Sequence, residues 1–250
     1  MAVTVQSDKK VVDTFTVKCY EVDSAQRLKP TAFMDIAQEM AYQAASVMKF
    51  GYYELISKNM AWVLSRMRFR FLEAPLWGDR LTVKTWHRGA FGPYFVRDFE
   101  VLAEDGRRVI EATSSWVIID MESRRMARPE DVLPKEDTSC HDFAIEVPAG
   151  KVMMPRSVEQ ELVTTHKVAY SDIDLVGHTN NARYVSWAMD CMDYGPEGVR
   201  VEEVGIVFHH EARPGDEIAL YRADFEGATF VEGRRDGTPI FCVKLGNISE

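Results

Sequence analysis

The densest concentration of reactive side chains in the sequence runs Asp172-Ile-Asp174-Leu-Val-Gly177-His178-Thr-Asn180-Asn181. Two carboxylates, a glycine that lets a substrate approach the backbone, an imidazole and two carboxamides crowd what reads as the entrance to a helix. Backbone N–H groups at such an end lack intrahelical acceptors and carry partial positive charge. They can polarise a carbonyl and stabilise the oxyanion formed when water adds to it, worth ~10²–10³ in rate for one well-aimed donor. Structural duties compete for the same residues. Asp172 reads foremost as a helix cap, and Asn180 and Asn181 as caps or turn formers that also brace the site.

The elements that must position this cluster occur twice. Phe15-Thr-Val-Lys-Cys-Tyr20-Glu-Val-Asp23 reads as a strand ending in a turn, and a helix opens at Pro30 with Phe33, Ala37, Met40 and Ala44 on one stripe. Thr165-His-Lys-Val-Ala-Tyr170-Ser-Asp-Ile-Asp174 has the same look. It precedes a helix from about Asn180 carrying Tyr184, Trp187, Ala188 and Cys191. Setting Tyr20 against Tyr170 gives an offset of 150, whereas Trp77-Gly78-Asp79 and Pro214-Gly215-Asp216 match at 137. The second copy is therefore shorter, with Gly51 to Lys58 lacking an equivalent.

Strand-like runs rich in Val, Ile, Phe and Trp follow each helix: Met60 to Phe71, Arg80 to Trp86, Tyr94 to Ala103 and Arg107 to Ile119 in the first half. In the second they are Glu202 to His210, Glu217 to Phe225, Ala228 to Arg234 and Pro239 to Leu245. Asp105-Gly106 and Asp236-Gly237 mark tight hairpins. Strand, long helix and four antiparallel strands, twice over, predict an α+β chain of two tandem hotdog domains, each a sheet wrapped around one helix. The expected division is an N-terminal tail at 1–10, domains at 11–133 and 158–250, and a polar linker at 134–157. The first copy retains Asp23 but lacks the Gly-His step and the Asn pair, so catalysis is assigned to the second.

Ser171-Asp-Ile-Asp-Leu-Val-Gly-His-Thr-Asn-Asn-Ala-Arg-Tyr184 resembles the active-site motif of acyl-(acyl-carrier-protein) thioesterases of plants and bacteria. The likeness extends through Trp62-Val-Leu-Ser-Arg-Met67, Trp77-Gly-Asp79, Ser115-Trp-Val117 and Arg124-Arg125. This resemblance implies hydrolysis of a fatty acyl thioester held on a carrier protein. It places the family's catalytic Asp on Asp174, its His on His178 and its Glu, on a neighbouring strand, on Glu211. Val176 stands where the family often has Asn, and Ala212 where the plant enzymes frequently have Cys. Those departures weaken a cysteine mechanism and leave a carboxylate one. In it either Asp174 or Glu211 activates water, worth ~10²–10⁴, or Asp174 attacks directly.

The acyl chain is expected in the first half, against adaptable apolar side chains such as Met34, Trp62 and Met67, each of which reads first as core packing. With a net charge of −9, general nucleic-acid binding is excluded. An acidic carrier protein would need a local basic patch, for which Arg124, Arg125 and Arg128 are the candidates. The competing reading makes these, and the alternating Arg66, Arg68 and Arg70, solvated strand edges. Cys19, Cys140, Cys191 and Cys242 lie far apart without metal-ligand spacing, so free thiols, no metal and no cofactor are expected. The absence of a signal peptide or a long apolar run predicts a cytoplasmic protein that does not insert into membranes. Tandem domains already form a paired unit, which leaves room for a homodimer. An acyl-CoA thioesterase of the same fold and a non-catalytic acyl-binding protein are the rival functions.

Overall fold

The computed structural model describes residues 3–132, 138–195 and 198–248. Its first half contains β1 (Thr4–Val5), β2 (Val11–Thr16), a 3₁₀ turn (Cys19–Glu21), α1 (Pro30–Val47), α2 (Tyr52–Ile56), β3 (Met60–Phe71), β4 (Arg80–Phe91), β5 (Tyr94–Leu102), β6 (Arg108–Asp120) and α3 (Pro129–Val132). The second contains β7 (Glu161–Lys167), a 3₁₀ turn (Tyr170–Asp172), α4 (Asn181–Asp190), β8 (Glu203–Phe208), β9 (Glu217–Phe225), β10 (Ala228–Arg235) and β11 (Thr238–Gly246). All pairings are antiparallel, and the sheet order is β1-β2-β4-β5-β6-β3-β8-β11-β10-β9-β7. This is the tandem hotdog arrangement, with two wrapped sheets fused edge to edge through β3 and β8.

Pro30 starts α1 with its φ preset for a helix and no N–H to orphan. The helix then buries Phe33, Met34, Ile36, Ala37, Met40, Ala41 and Ala44. Phe33 packs against Phe69 and Phe71 of β3, with ring centroids 5.0 and 6.2 Å apart. In α4 the buried residues are Ala182, Tyr184, Val185, Trp187 and Ala188. The two helices touch inside the curved sheet. Arg183 pairs with Asp35 (3.0 Å), and Gln38 Nε2 donates to Asn180 Oδ1 (3.3 Å).

The internal repeat is visible bond for bond, at a register one residue from the sequence reading. The Asp23 N–H donates to the Arg27 carbonyl as Asp174 does to His178, and Lys29 donates to Glu21 as Asn180 does to Asp172. The matching offset before the helices is thus 151, not 150, and the two 3₁₀ turns and helix starts agree with it. Beyond the helices the offset of 137 holds: Gly78 and Gly215 both sit at φ 90° and both donate to the valine that follows the first long strand, Val17 and Val168. Part of the shortening lies inside the helix itself, since α1 has 18 residues and α4 has 10. The first long strand of each half, β2 and β7, also begins before the expected segment, because Tyr20 and Tyr170 belong to the 3₁₀ turns that redirect the chain.

Arg66, Arg68 and Arg70 do not lie on a solvated edge. β3 is interior, bonded to β6 on one side and β8 on the other. Arg68 and Arg70 reach across the seam to Glu203 at 2.8 and 2.6 Å, while Arg66 donates to the Tyr94 hydroxyl at 2.8 Å. Arg124, Arg125 and Arg128 likewise follow an interior strand, β6.

Of the expected linker, 134–137 lie outside the described residues. The rest is a strap on the sheet without helix or strand. Trp86 Nε1 donates to the Asp142 carbonyl (2.9 Å), the Ala144 N–H to Asp98 Oδ2 (2.8 Å), and Arg88 Nη1 to the Ile145 carbonyl (2.9 Å). Met154 packs with Ala223 and Cys242. Among the described residues no helix is long and apolar enough to cross a membrane.

Candidate active site

The turn from Asp172 to Asn180 is built from short-range bonds that present His178. Asp174 Oδ1 accepts the Val176 N–H (3.0 Å), and the Asp174 carbonyl accepts the Gly177 N–H (3.1 Å). Gly177 occupies a left-handed conformation, φ 81°, which glycine adopts without steric cost. Asn180 caps α4 by accepting the Ala182 N–H (2.8 Å). Asp172, read from the sequence as the cap, instead lies buried below. Its Oδ2 accepts the Ala169 N–H (2.8 Å) and bonds His166 Nε2 (2.9 Å). Burial works against its charge, but those bonds prevail and hold the carboxyl below the usual range.

Glu211 lies three residues beyond the end of β8, in the following loop, not on a strand as expected. Its neighbours His209 and His210 are both exposed in the same loop. The loop is fixed through Ala212, whose carbonyl accepts the Thr179 N–H (3.0 Å) and whose N–H donates to the buried Tyr184 hydroxyl (3.0 Å). Burial pushes the Tyr184 phenol up from its ordinary value. So anchored, Glu211 Oε2 faces His178 Nε2 at 3.6 Å, within reach of a shared water. Arg124 Nη2, from the turn after β6, approaches Glu211 Oε1 at 3.2 Å, and Arg213 Nη2 approaches Oε2 at 3.6 Å.

This pair stands at the edge of a cavity of about 480 Å³. His178, Glu211, Arg124, Asn181, Leu175 and Val176 contribute to one part of its wall. The remainder comes mainly from α1, α2, the 48–50 link between them and strands β3 to β6, including Tyr42, Phe50, Leu55, Trp62, Phe95 and Trp116. Asn181 is the first residue of α4, so its N–H has no intrahelical acceptor and is available to a carbonyl oxygen. The segment around Gly51 to Lys58, which the second half lacks, supplies α2 and with it Tyr52, Leu55 and Ile56 to the cavity.

Several sequence-designated residues lie elsewhere. Asp174, Gly177 and Asn180 shape the turn and are not on the cavity wall. Met34 and Met67 belong to the main core, 2% and 3% exposed, because the sheet closes over that part of α1. Arg125 and Arg128 are exposed close to Arg124 in the chain. Cys191 and Cys242 are buried, and burial raises their thiols, Cys191 to about 11. Sequence reading missed the anchoring role of Tyr184 and the cavity residues of α2 and β5. A buried tyrosine needs a partner for its hydroxyl, and that was the one available signal.

In the corresponding cleft of the first half, Arg27 and Ala74 stand where the second half has His178 and Glu211. Asp23 there pairs with Arg27 at 2.8 Å.

Residues 8–135 match the acyl-ACP thioesterase N-terminal domain and residues 156–236 the C-terminal domain of the same family. The palmitoyl-acyl carrier protein thioesterase, chloroplastic, of Gossypium hirsutum is 27% identical over 187 residues, covering 70% of this chain and 45% of that protein. The chain spans about half the length of the curated relatives it matches. The crystal structure of an acyl-ACP thioesterase from Bacteroides thetaiotaomicron superposes with a TM-score of 0.82 at 25% identity, covering 96% of this chain and 99% of that one. The 12:0-ACP thioesterase from Umbellularia californica shares the fold, with a TM-score of 0.81 at 19% identity over 95% of this chain and 96% of that one. By both halves of its sequence, the chain belongs to the acyl-ACP thioesterase family.

Proposed function

We propose that this protein hydrolyses the thioester of a fatty acyl group carried on acyl carrier protein. The observation that carries the reading is the approach of His178 and Glu211, from separate segments, at the edge of an apolar cavity. The thioester carbonyl is set near the tip of α4, where the Asn181 N–H polarises it and stabilises the developing oxyanion. Glu211 takes a proton from a water held between it and His178, and the water oxygen bonds to the carbonyl carbon. As the tetrahedral intermediate collapses, the carbon–sulfur bond breaks, and the thiolate of the carrier's prosthetic arm recovers the proton. The products are a free fatty acid and a carrier thiol. Asp174 is assigned to holding the turn that presents His178.

Family membership and the exposed Arg124, Arg125 and Arg128, of which Arg124 lies on the cavity wall, support an acidic carrier as partner. Parallel hydrolysis of dodecanoyl-ACP and dodecanoyl-CoA tests the reading, with wild-type and Glu211→Gln proteins of equal thermal stability. The expected result is a higher kcat/KM on the carrier-bound substrate and a loss of at least 10² in the variant. Equal kcat/KM on the two substrates overturns the carrier assignment. Turnover by neither identifies an acyl-binding protein.

A further inference from the structure

One cation stands on the cavity wall away from the His178–Glu211 pair. Arg97 of β5 lines the cavity together with His87, its direct cross-strand partner on β4. In the order β8-β3-β6-β5, Arg97 stands three strand spacings from the strand that leads to Glu211, a path of roughly 14 Å along the curved sheet at ~4.8 Å per spacing. Trp62, Trp116 and Phe95 line the cavity from the intervening strands and from β5 itself.

The guanidinium is held in place by a hydroxyl. Its Nη1 donates to Thr85 Oγ1 at 3.2 Å, and the Thr85 hydroxyl in turn donates to the Asp98 carbonyl at 2.9 Å. Among the described residues no carboxylate comes within 4.0 Å of it. Asp98, the next residue in the chain, has its carboxylate on the opposite face, where it accepts the Ala144 N–H. A guanidinium has five N–H donors; one is used on Thr85, and the residue lines the cavity. Burial lowers the Arg97 pKa to about 10, against the raising influence of the nearby Asp98 charge, so the group keeps its charge at neutral pH.

We propose that Arg97 selects the distal part of the acyl chain, favouring acyl groups that carry an accepting oxygen (hydroxyl, oxo or carboxylate) well away from the thioester. This rests on the reading of the cavity as the acyl site. A methylene laid against the guanidinium displaces water from donors that it cannot itself pair. An oxygen at that depth gains a charge-assisted hydrogen bond. Sites built to bond a polar group reject analogues lacking it more strongly than apolar pockets reject an added methylene.

The test uses non-hydrolysable dodecanoyl-pantetheine amide and its 8-, 10- and 12-hydroxy derivatives, whose neutral head groups cannot themselves seek Arg97. Calorimetry should show at least one hydroxylated ligand binding wild-type protein tenfold or more tightly than the plain one, with the preference lost or reversed in Arg97→Met. Equal binding of all four ligands to wild type overturns the proposal, and that comparison stands even if the variant does not fold. Uniform weakening of every ligand by Arg97→Met also overturns it, since that marks a packing role. Because the ligands are not cleaved, an Arg97-dependent preference in a protein that hydrolyses no acyl-ACP would refute the enzymatic reading and leave this one standing. Hydrolysis without the preference would do the reverse.

Discussion

Asp23 and Asp174 make the same bond in the two halves, each carboxylate accepting the N–H two residues on, from Ala25 at 2.9 Å and from Val176 at 3.0 Å. The first copy has no His and no Glu to work with, since Arg27 and Ala74 occupy those places. A bond that is kept where the other two groups are lost serves the turn. Asn can still accept that N–H through its side-chain oxygen, whereas Ala cannot. Asp174→Asn should therefore retain more kcat/KM on acyl-ACP than Glu211→Gln, by at least tenfold, and Asp174→Ala should cost a further ~1 kcal/mol of stability. Equal inactivation by Asp174→Asn and Glu211→Gln, with both folded, would restore Asp174 to the chemistry.

Tyr184 is the counterpart of that turn on the other side of the site. Its hydroxyl pairs the Ala212 N–H, so Tyr184→Phe leaves a buried backbone donor unsatisfied next to Glu211. The expected cost is about 1–3 kcal/mol of stability. Because Glu211 then drifts from His178, kcat should fall while KM changes little. Denaturant unfolding and steady-state kinetics measure the two effects separately, and a stability loss with unchanged kcat would confine Tyr184 to packing.

How much of this was readable beforehand depended on periodicity. β3 runs from Met60 to Phe71 as its richness in β-branched and aromatic residues indicated, and the Asp-Gly turns hold Gly106 and Gly237 at φ 86° and 77°. Matching tyrosines misled the alignment of the repeat by one residue, because the 3₁₀ turns are conserved in backbone geometry and not in side chains. Arg66, Arg68 and Arg70 looked like an edge because charge alternation is also what a seam pairing across two domains produces. Met34 and Met67 could not be told from cavity residues, since one apolar pattern serves core and cavity alike. Arg97 gave no signal at all, as a single arginine in a strand reads as solvent-facing.

Arg124 and its neighbours separate two electrostatic roles. Arg124 contacts Glu211 directly, whereas Arg125 and Arg128 are exposed and have no contact with it. Charge reversal at Arg125 and Arg128 together should raise KM for acyl-ACP at least fivefold at low salt, and the effect should shrink as salt screens it. The kcat/KM for a small acyl thioester should stay unchanged. Reversal at Arg124 should instead depress turnover of both substrates, because Glu211 loses its partner. If the double variant impaired both substrates equally, carrier docking would have to lie elsewhere.

Asp98 gives the fold a pH dependence whose sign follows from its burial. It is fully buried between β5 and the strap, and desolvation lifts its pKa to about 6, against the lowering influence of the Ala144 N–H and Arg88. A folded pKa above the unfolded value means that the native state holds more protons between about pH 4 and 6. This group's contribution therefore declines as pH rises through that window and is most favourable below it. The displacement from 3.8 to about 6 corresponds to roughly 3 kcal/mol across the window. Asp98→Asn keeps an oxygen for the Ala144 N–H but cannot ionise. Urea midpoints measured from pH 4 to 7.5 should fall more steeply with rising pH in wild type than in the variant, with the curves running parallel above about pH 7. Identical slopes throughout would mean that Asp98 titrates normally and that the strap is held there by an ordinary charged pair with Arg88.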